Sequence, residues 1–426
     1  MDARTKSRPT RPKGYEQIDI IYLGIFRWDG PFSSISIALA KEFARHNRVF
    51  YINHPYSVKD FFNLQQPSEL ARRGDLLRNR VRFESGGDLP ERLVSVTPPL
   101  TLPINWLRQG RLHQRLWQLN DQQIQKTIRK IIKTYGVKKY LFINCFDPYF
   151  GHALPKESPP LLNIYQCVDD ISADGYSGRH GARLEQQAIR KADLTLVTSH
   201  ELLRICKQYS DQVYTLNNAA DTQNFQRAVF ERFAKPDDIR HSRGKIIGYM
   251  GNLDNSRVDY PLLKYVAEQF PDDTLLLVGP INNEEYKEIG LDRMPNVVMT
   301  GGKSIDDLPP YLQHFDCALI PFLCNKLTKS IYPLKINEYL AAGKAVISTR
   351  FSVDIEQFDD HIYLADDAEH FANLIRTALQ EKAVDFQKKR LLLANQNTRE
   401  ARVDSFWQLL QPHLAKRDVV SEFETP

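Results

Sequence analysis

A chain of 426 residues, 42% of them hydrophobic, is long enough for about two domains with substantial cores. Its formal net charge of +5 is too mild to signal a nucleic-acid binder. No apolar run approaches the roughly 20 residues that a membrane-crossing helix needs, and five scattered cysteines without a C-x-x-C pair signal neither a zinc site nor a redox couple.

The chain opens with Arg4, Lys6, Arg8, Arg11 and Lys13, and 1–14 is expected to be a disordered basic tail. This polar, proline-containing start is not a secretory signal. Strands are predicted at Ile18–Phe26, Arg48–His54, Lys139–Cys145, Leu161–Val168, Leu194–Ser199 and Gln212–Asn218. Most are nearly continuous in apolar residues, the pattern of strands covered on both faces. Helical stretches such as Ser33–His46 and Arg183–Ala192 separate them, which predicts a parallel sheet wound by helices. Asn105–Asn120 and Ile124–Lys139 are basic, with Trp and Leu interleaved. Such a face suits anionic lipid headgroups, and it equally suits an ordinary solvated helix.

A polar stretch at 227–244 lacks periodicity and is expected to be a linker. The strand pattern then restarts at Lys245–Gly251, Thr274–Gly279, Asn296–Gly301, Cys317–Phe322, Ala345–Thr349 and His361–Asp366. The expected fold class is therefore α/β, with two tandem Rossmann-like doubly wound domains at 15–226 and 245–397. Residues 416–426 form a second charged tail. Ligands bind such domains at the carboxyl ends of strands, so the two domains are expected to face a cleft. Four cysteines sit in or beside apolar runs, as buried free thiols of a reducing cytoplasm do.

Several nucleotide motifs are missing. The GGKS at Gly301–Ser304 has Val297 where a P-loop needs glycine. No G-x-G-x-x-G, H-E-x-x-H, G-x-S-x-G or D-x-D occurs, so no metal is expected to clamp a diphosphate. The stretch YPLKINEYLAAGKAVIST (Tyr332–Thr349) offers another device. Pro333 suits the first turn of a helix, which leaves the amides of Leu334, Lys335 and Ile336 as an anion site. Lys335 adds a full charge there. Glu338, at i,i+3 from Lys335, can accept hydrogen bonds from a diol such as ribose. The same spacing is also that of an ordinary surface ion pair. In GYMGNLDNSRVDYPLL (Gly248–Leu263) a strand ends in Gly251, and Arg257 sits in the following loop, where it can fork onto phosphate or remain a solvated cation. Asp259 is a candidate N-cap. In the first domain, RWDGPFSS (Arg27–Ser34) places Gly30 after a strand, with Ser33 or Ser34 as cap. YQCVDDISADGY (Tyr165–Tyr176) ends a strand in Asp169-Asp170. These carboxylates can orient an acceptor hydroxyl or take its proton, or they can cap a turn.

The order and spacing of these stretches resemble the group 1, family 4 type of GT-B retaining glycosyltransferases over residues 15–414. Gly251-Asn252-Leu253 with Arg257 is similar to the family's G-x-L loop ending in Lys or Arg. Glu338 followed by Ala341-Ala342-Gly343-Lys344-Ala345-Val346-Ile347 is similar to its E-x7-E and A-x-G-x-P-V-[IV] segments. Asn218, Asp221 and Phe225 match its N-G-V-D-x-x-x-F segment, and Ala188–Ile205 resembles the run before it. Arg402–Leu414 resembles the closing helix, so 398–415 is expected to cross back onto the first domain. Five positions depart: Ser330 stands for the first Glu of E-x7-E, Asn252 for a second arginine, Ala345 for proline, and Ala219 and Ala220 for the Gly and Val of the N-G-V-D segment. The pattern is closest to members that build bacterial cell-surface polysaccharide.

The resemblance implies a metal-independent hexosyltransferase that uses a nucleotide diphosphate sugar as co-substrate and has no cofactor. The acceptor would be a hydroxyl of a lipid-linked glycan or polysaccharide precursor. Arg257, Lys335, Gly251, Leu334, Ile336 and Gly30 are assigned to the donor diphosphate and Glu338 to the ribose. Ser330 and Tyr332 are assigned to a donor-sugar contact, and Asp169 and Asp170 to catalysis. The expected location is cytoplasmic, with at most peripheral contact on the inner membrane face. A nucleotide-sugar 2-epimerase of the same fold and a non-catalytic nucleotide-sugar or polyanion binder are the alternatives.

Overall fold

Runs rich in Ile, Val, Leu and Tyr, buried on both faces, form two parallel sheets in the computed structural model, which describes residues 15–28, 30, 34–64, 67–173, 180–381 and 384–417. The tail expected at 1–14 lies outside these residues, as does 416–426 from 418 onward. The chain divides into two units, one running to Leu216 and resuming at Val403, the other spanning Asn217–Arg402.

The first unit is built on β1 (Asp19–Gly24), β2 (Val49–Ile52), β3 (Arg82–Glu84), β4 (Leu93–Thr97), β5 (Tyr140–Cys145), β6 (Leu162–Cys167), β7 (Leu194–Val197) and β8 (Val213–Thr215). Their order is β3-β4-β2-β1-β5-β6-β7-β8, and only the β3–β4 pairing is antiparallel. The chain steps outward from β1 in both directions, so the topological switch lies between β1 and β5. The sequence pattern passed over β3 and β4. RFE is polar, and LVSVT interrupts its apolar run with Ser95 and Thr97, both buried here. Asn53 Nδ2 donates to Ser95 Oγ at 2.9 Å, which makes that burial tolerable.

Ser34 caps the helix Ile35–Phe43, its hydroxyl accepting from the Ile37 amide at 3.2 Å. The two basic stretches after residue 105 form one helix, Arg111–Tyr135. One face of it buries Trp117, Ile124, Ile128 and Ile131. The other leaves Leu112 and Leu119 exposed. The helix Arg399–Ala415 buries Val403, Phe406, Trp407, Leu410 and Leu414 in the core of this unit, with Trp407 stacked on Tyr15 at 4.9 Å. Cys145, Cys167, Cys206 and Cys317 are buried free thiols, and Cys324 is exposed.

The second unit contains β9 (Ile246–Met250), β10 (Thr274–Val278), β11 (Val297–Gly301), β12 (Cys317–Ile320), β13 (Val346–Thr349) and β14 (Tyr363–Ala365). All are parallel, in the order β11-β10-β9-β12-β13-β14, which puts the switch between β9 and β12. The boundary of this unit differs from the sequence reading. Residues 217–230 belong to it, not to the first domain or a linker. The helix Thr222–Phe230, capped by Asp221, buries Phe225 fully in its core. Gln313 Nε2 ties that helix down by donating to the carbonyls of Ala228 and Glu231 at 3.0 and 2.7 Å. A polar, aperiodic surface face hid this packing in the sequence.

Candidate functional site

The switch point of the second unit collects the cations singled out in the sequence. The loop after β9 is tied to the loop after β12 by hydrogen bonds from the Asp259 amide to Pro321 O and from the Leu323 amide to Arg257 O, both 2.8 Å. Arg257 is thereby held at the carboxyl end of the sheet. Asp259 caps the helix Tyr260–Gln269, accepting from the Leu262 amide at 2.9 Å. Lys335 enters from the start of the helix Leu334–Ala341 and lies directly over Gly251. A Cβ at Gly251 would fall 2.1 Å from Lys335 Cε, so a larger residue there displaces the end of the lysine. The φ of 141° at this position is what requires glycine. Gly279, at the end of β10, is constrained in turn, because a Cβ there would sit 1.9 Å from Gly251 O.

Lys335 Nζ lies 5.4 Å from the centre of the Phe322 ring and 5.6 Å from that of Tyr249. Burial pushes the Lys335 ammonium below the ordinary lysine range; Glu338 pulls it back up, and Arg257 adds to the lowering. Arg257 Nε stands 3.9 Å from Asp254 Oδ2 and has no hydrogen-bond acceptor among the described residues. Lys335 and Arg257 are therefore like charges that repel at this end of the sheet, each offset in part by a carboxylate, Glu338 for Lys335 and Asp254 for Arg257. An anion relieves that arrangement.

Glu338, one turn further along the helix, is partly buried. Burial raises its carboxyl above the usual range; Lys335 and Arg399 lower it, and Asp221 raises it. Arg399 and Asp221 form an ion pair at 3.0 Å beside it. The bridge between Ala220 and Thr398 brings these distant segments together. Sequence reasoning quoted Asp221 only as part of a motif and did not find Arg399. The helix ends as expected, with Gly343 left-handed at φ 67°. Lys344 turns inward, donating to Gln313 O at 3.0 Å and Phe315 O at 2.7 Å, and burial lowers it to about 8.

Four expectations about this site are corrected. The Ile336 amide donates to Pro333 O at 3.3 Å, so the helix start offers the amides of Leu334 and Lys335 but not that of Ile336. Pro333 itself is the cap residue, not the first helical one. The Gly251 amide is taken by Val278 O at 2.8 Å, so Gly251 contributes room rather than a donor. Ser330 and Tyr332 are 1% and 3% exposed. Ser330 ends a short helix, and the Tyr332 hydroxyl accepts from Asn337 Nδ2 at 3.3 Å, so both face the interior instead of a sugar.

In the first unit, the carboxyl strand ends hold the other candidates. Gly30 closes a turn after β1, its amide donating to Arg27 O at 3.0 Å. Asp170 is nearly buried, and its Oδ1 accepts from the Ser172 amide at 2.9 Å and the Ser172 hydroxyl at 2.5 Å. This is the turn-capping role that the sequence also allowed for it; Asp169 beside it is half-buried. Behind them Glu185 is buried and raised to about 7, mainly by desolvation, while Tyr165 and Cys167 donate to it. A pair that sequence reasoning did not join stands near the switch point, although the stretch NCFDPYF (Asn144–Phe150) that holds Asp147 reads as a strand end suited to an acceptor pocket. His54, just after β2, contacts Asp147 Oδ2 through Nδ1 at 2.7 Å, and Asp147 is fully buried. Asn144 fixes this loop through the Asp147 amide and the carbonyls of Asp147 and Phe150. Neither residue carries a local motif, so no signal in the sequence joined them.

Comparison with known proteins finds similarity to sugar transferases, with a family match in the second unit. Residues 244–381 match the family described as glycosyl transferases group 1. Over 223 residues the chain is 26% identical to TuaH of Bacillus subtilis (strain 168), named as a candidate teichuronic acid biosynthesis glycosyltransferase. That match covers 49% of this chain and 55% of TuaH, so the chain spans about half the length of that relative. Among solved structures, an alpha,alpha-trehalose 6-phosphate synthase from Burkholderia multivorans superposes with TM-score 0.67 at 10% identity, covering 94% of this chain and all of that one. HepE from Anabaena, solved with UDP, gives TM-score 0.58 at 14% identity, covering 93% and 100%. At such identities the likeness is one of fold.

Proposed function

We propose that this chain, a GT-B protein whose second unit carries a group 1 glycosyltransferase domain, is a hexosyltransferase. It takes the sugar from a nucleotide diphosphate donor and passes it, with retention of configuration, to a hydroxyl of a lipid-linked glycan or polysaccharide precursor. The observation that carries this reading is a pair of mutually repelling cations at a topological switch point: Lys335, lying over Gly251, and Arg257, whose Nε has no acceptor among the described residues.

The chemistry follows from charge. Negative charge grows on the leaving diphosphate as the glycosidic bond loosens, and fixed cations lower that barrier without reorganising. Lys335 and Arg257 take the diphosphate oxygens, with the first-turn amides of Leu334 and Lys335 beside them. This cationic set does the work of a metal, so no tightly held ion is needed. Glu338, steadied by Arg399, accepts the ribose hydroxyls. In the first unit, Asp169 and the His54–Asp147 pair orient the acceptor hydroxyl. The enzyme works in the cytoplasm, with peripheral contact at the inner membrane face.

A thermal-shift screen against UDP-, GDP-, dTDP- and ADP-sugars tests the donor site, and a transfer assay with and without EDTA tests the chemistry. Stabilisation by one nucleotide class and full turnover in EDTA are expected. No stabilisation by any of them, or a strict metal requirement, would sink the proposal.

A further inference from the structure

We propose a second anion site, in the first unit at the start of the helix Arg111–Tyr135, built to hold a phosphate monoester or diphosphate group. A cavity of about 440 Å³ opens there, and its lining includes Arg111, His113, Gln114, Arg115 and Arg183. Among the described residues no acidic side chain lines it. The helix cap is Gly110, which has no side chain to satisfy the first-turn amides. The first helical bond runs from the Gln114 amide to Gly110 O, so the amides of Arg111, Leu112 and His113 precede the hydrogen-bonded ladder. In a helix of 25 residues they carry the full positive end of the dipole.

A helix start alone would mean little, but the side chains add independent observations. His113 is 2% exposed, lines the cavity, and its Nδ1 has no partner among the described residues. His180, 3% exposed, stacks on it with ring centres 4.0 Å apart and leaves its own Nδ1 unpartnered. Its Nε2 donates to Leu107 O at 2.9 Å, which fixes the ring. The buried Nε of Arg183 has no acceptor among the described residues either. Burial of polar nitrogens without partners is costly, and so is grouping arginines without a carboxylate. Burial, then His180, then Arg183 all push the His113 imidazolium down, as expected of a locally positive site. A phosphate group in the cavity answers the grouped arginine charges and the first-turn amides, because it brings several acceptor oxygens and two charges. The cavity is larger than a bare phosphate and leaves room for the group that the phosphate is attached to.

Two sources share this chemistry, a phospholipid headgroup and a soluble sugar phosphate. The full chain is titrated calorimetrically with inorganic phosphate, and its binding to phosphatidylglycerol–phosphatidylcholine vesicles is measured by flotation. Wild type is compared with Arg111→Gln/Arg115→Gln, which alters exposed side chains, and with Lys130→Gln/Lys133→Gln at the far end of the same helix. Phosphate held by the second unit persists in all three, so the difference isolates this pocket. We expect the first variant to weaken phosphate binding by about tenfold or more, the value of one charge-assisted hydrogen bond, and the second to leave it unchanged. Vesicle binding that free phosphate displaces, and that only the Arg111/Arg115 variant loses, identifies a headgroup. Phosphate binding without preference for phosphatidylglycerol identifies a soluble ligand. If the two variants behave alike in both assays, the site does not exist.

Discussion

Replacing Lys335 with methionine isolates the charge on which the donor reading depends. The side chain lies against Gly251, Tyr249 and Phe322, and methionine fills a similar volume, so the Lys335→Met protein keeps its packing. A phosphate oxygen about 4 Å from Nζ gains about 4 kcal/mol per unit charge at an effective dielectric constant of about 20. Glu338 already satisfies part of that attraction, and salt screens some of the rest, which leaves about 2–3 kcal/mol. UDP affinity measured by calorimetry should therefore fall by about 30- to 150-fold, and uridine affinity by less than about threefold. The proton count adds a second readout. Burial depresses Lys335 in the free protein, and a bound diphosphate raises it, so the complex holds the proton more tightly. UDP affinity of the wild type should thus fall as pH rises on the alkaline side, and that slope should be shallower in Lys335→Met. Equal losses for UDP and uridine, or identical pH slopes, would refute the assignment.

Other substitutions probe neighbouring parts of the structure. Glu338→Gln should cost uridine and UDP alike about 1–3 kcal/mol of binding, and an unaltered uridine affinity removes the ribose role. Gly251→Ala should weaken UDP binding by no more than Lys335→Met does, because the new Cβ displaces the end of Lys335; calorimetry showing wild-type affinity contradicts the packing. Asp170→Ala should lower unfolding free energy by about 1–2 kcal/mol, whereas Asp169→Asn should lower turnover and leave the melting temperature in place. The reverse pattern would exchange their roles. Glu185, raised from 4.5 to about 7, keeps its proton in the folded state while the unfolded chain ionises. Its contribution is fully present below 4.5 and is lost as pH rises through 7, about 3 kcal/mol in all. Urea titrations should show this decline in the wild type relative to Glu185→Gln, and parallel curves for the two proteins would overturn it.

Local pattern was enough for a good part of this protein. Nearly continuous apolar runs marked twelve of the strands, because a strand covered on both faces has no polar positions to interrupt it. Gly251 and Gly343 announced the strand and helix ends that need them, and helical spacing put Lys335 and Glu338 one turn apart before any fold was known. What the sequence could not contain was the order of strands in the sheet. That order sets which carboxyl ends are neighbours and so brought His54 to Asp147, while the Ala220–Thr398 bridge brought Arg399 and Asp221 together beside Glu338. Burial was equally beyond local reach. Ser330 and Tyr332 read as donor-sugar contacts, but both are buried, and of the two roles open to Asp170 its hydrogen bonds fill the capping of a turn. A residue's chemistry is written in the chain one position at a time. Its neighbours, and the water it keeps or loses, are decided only when distant segments pack.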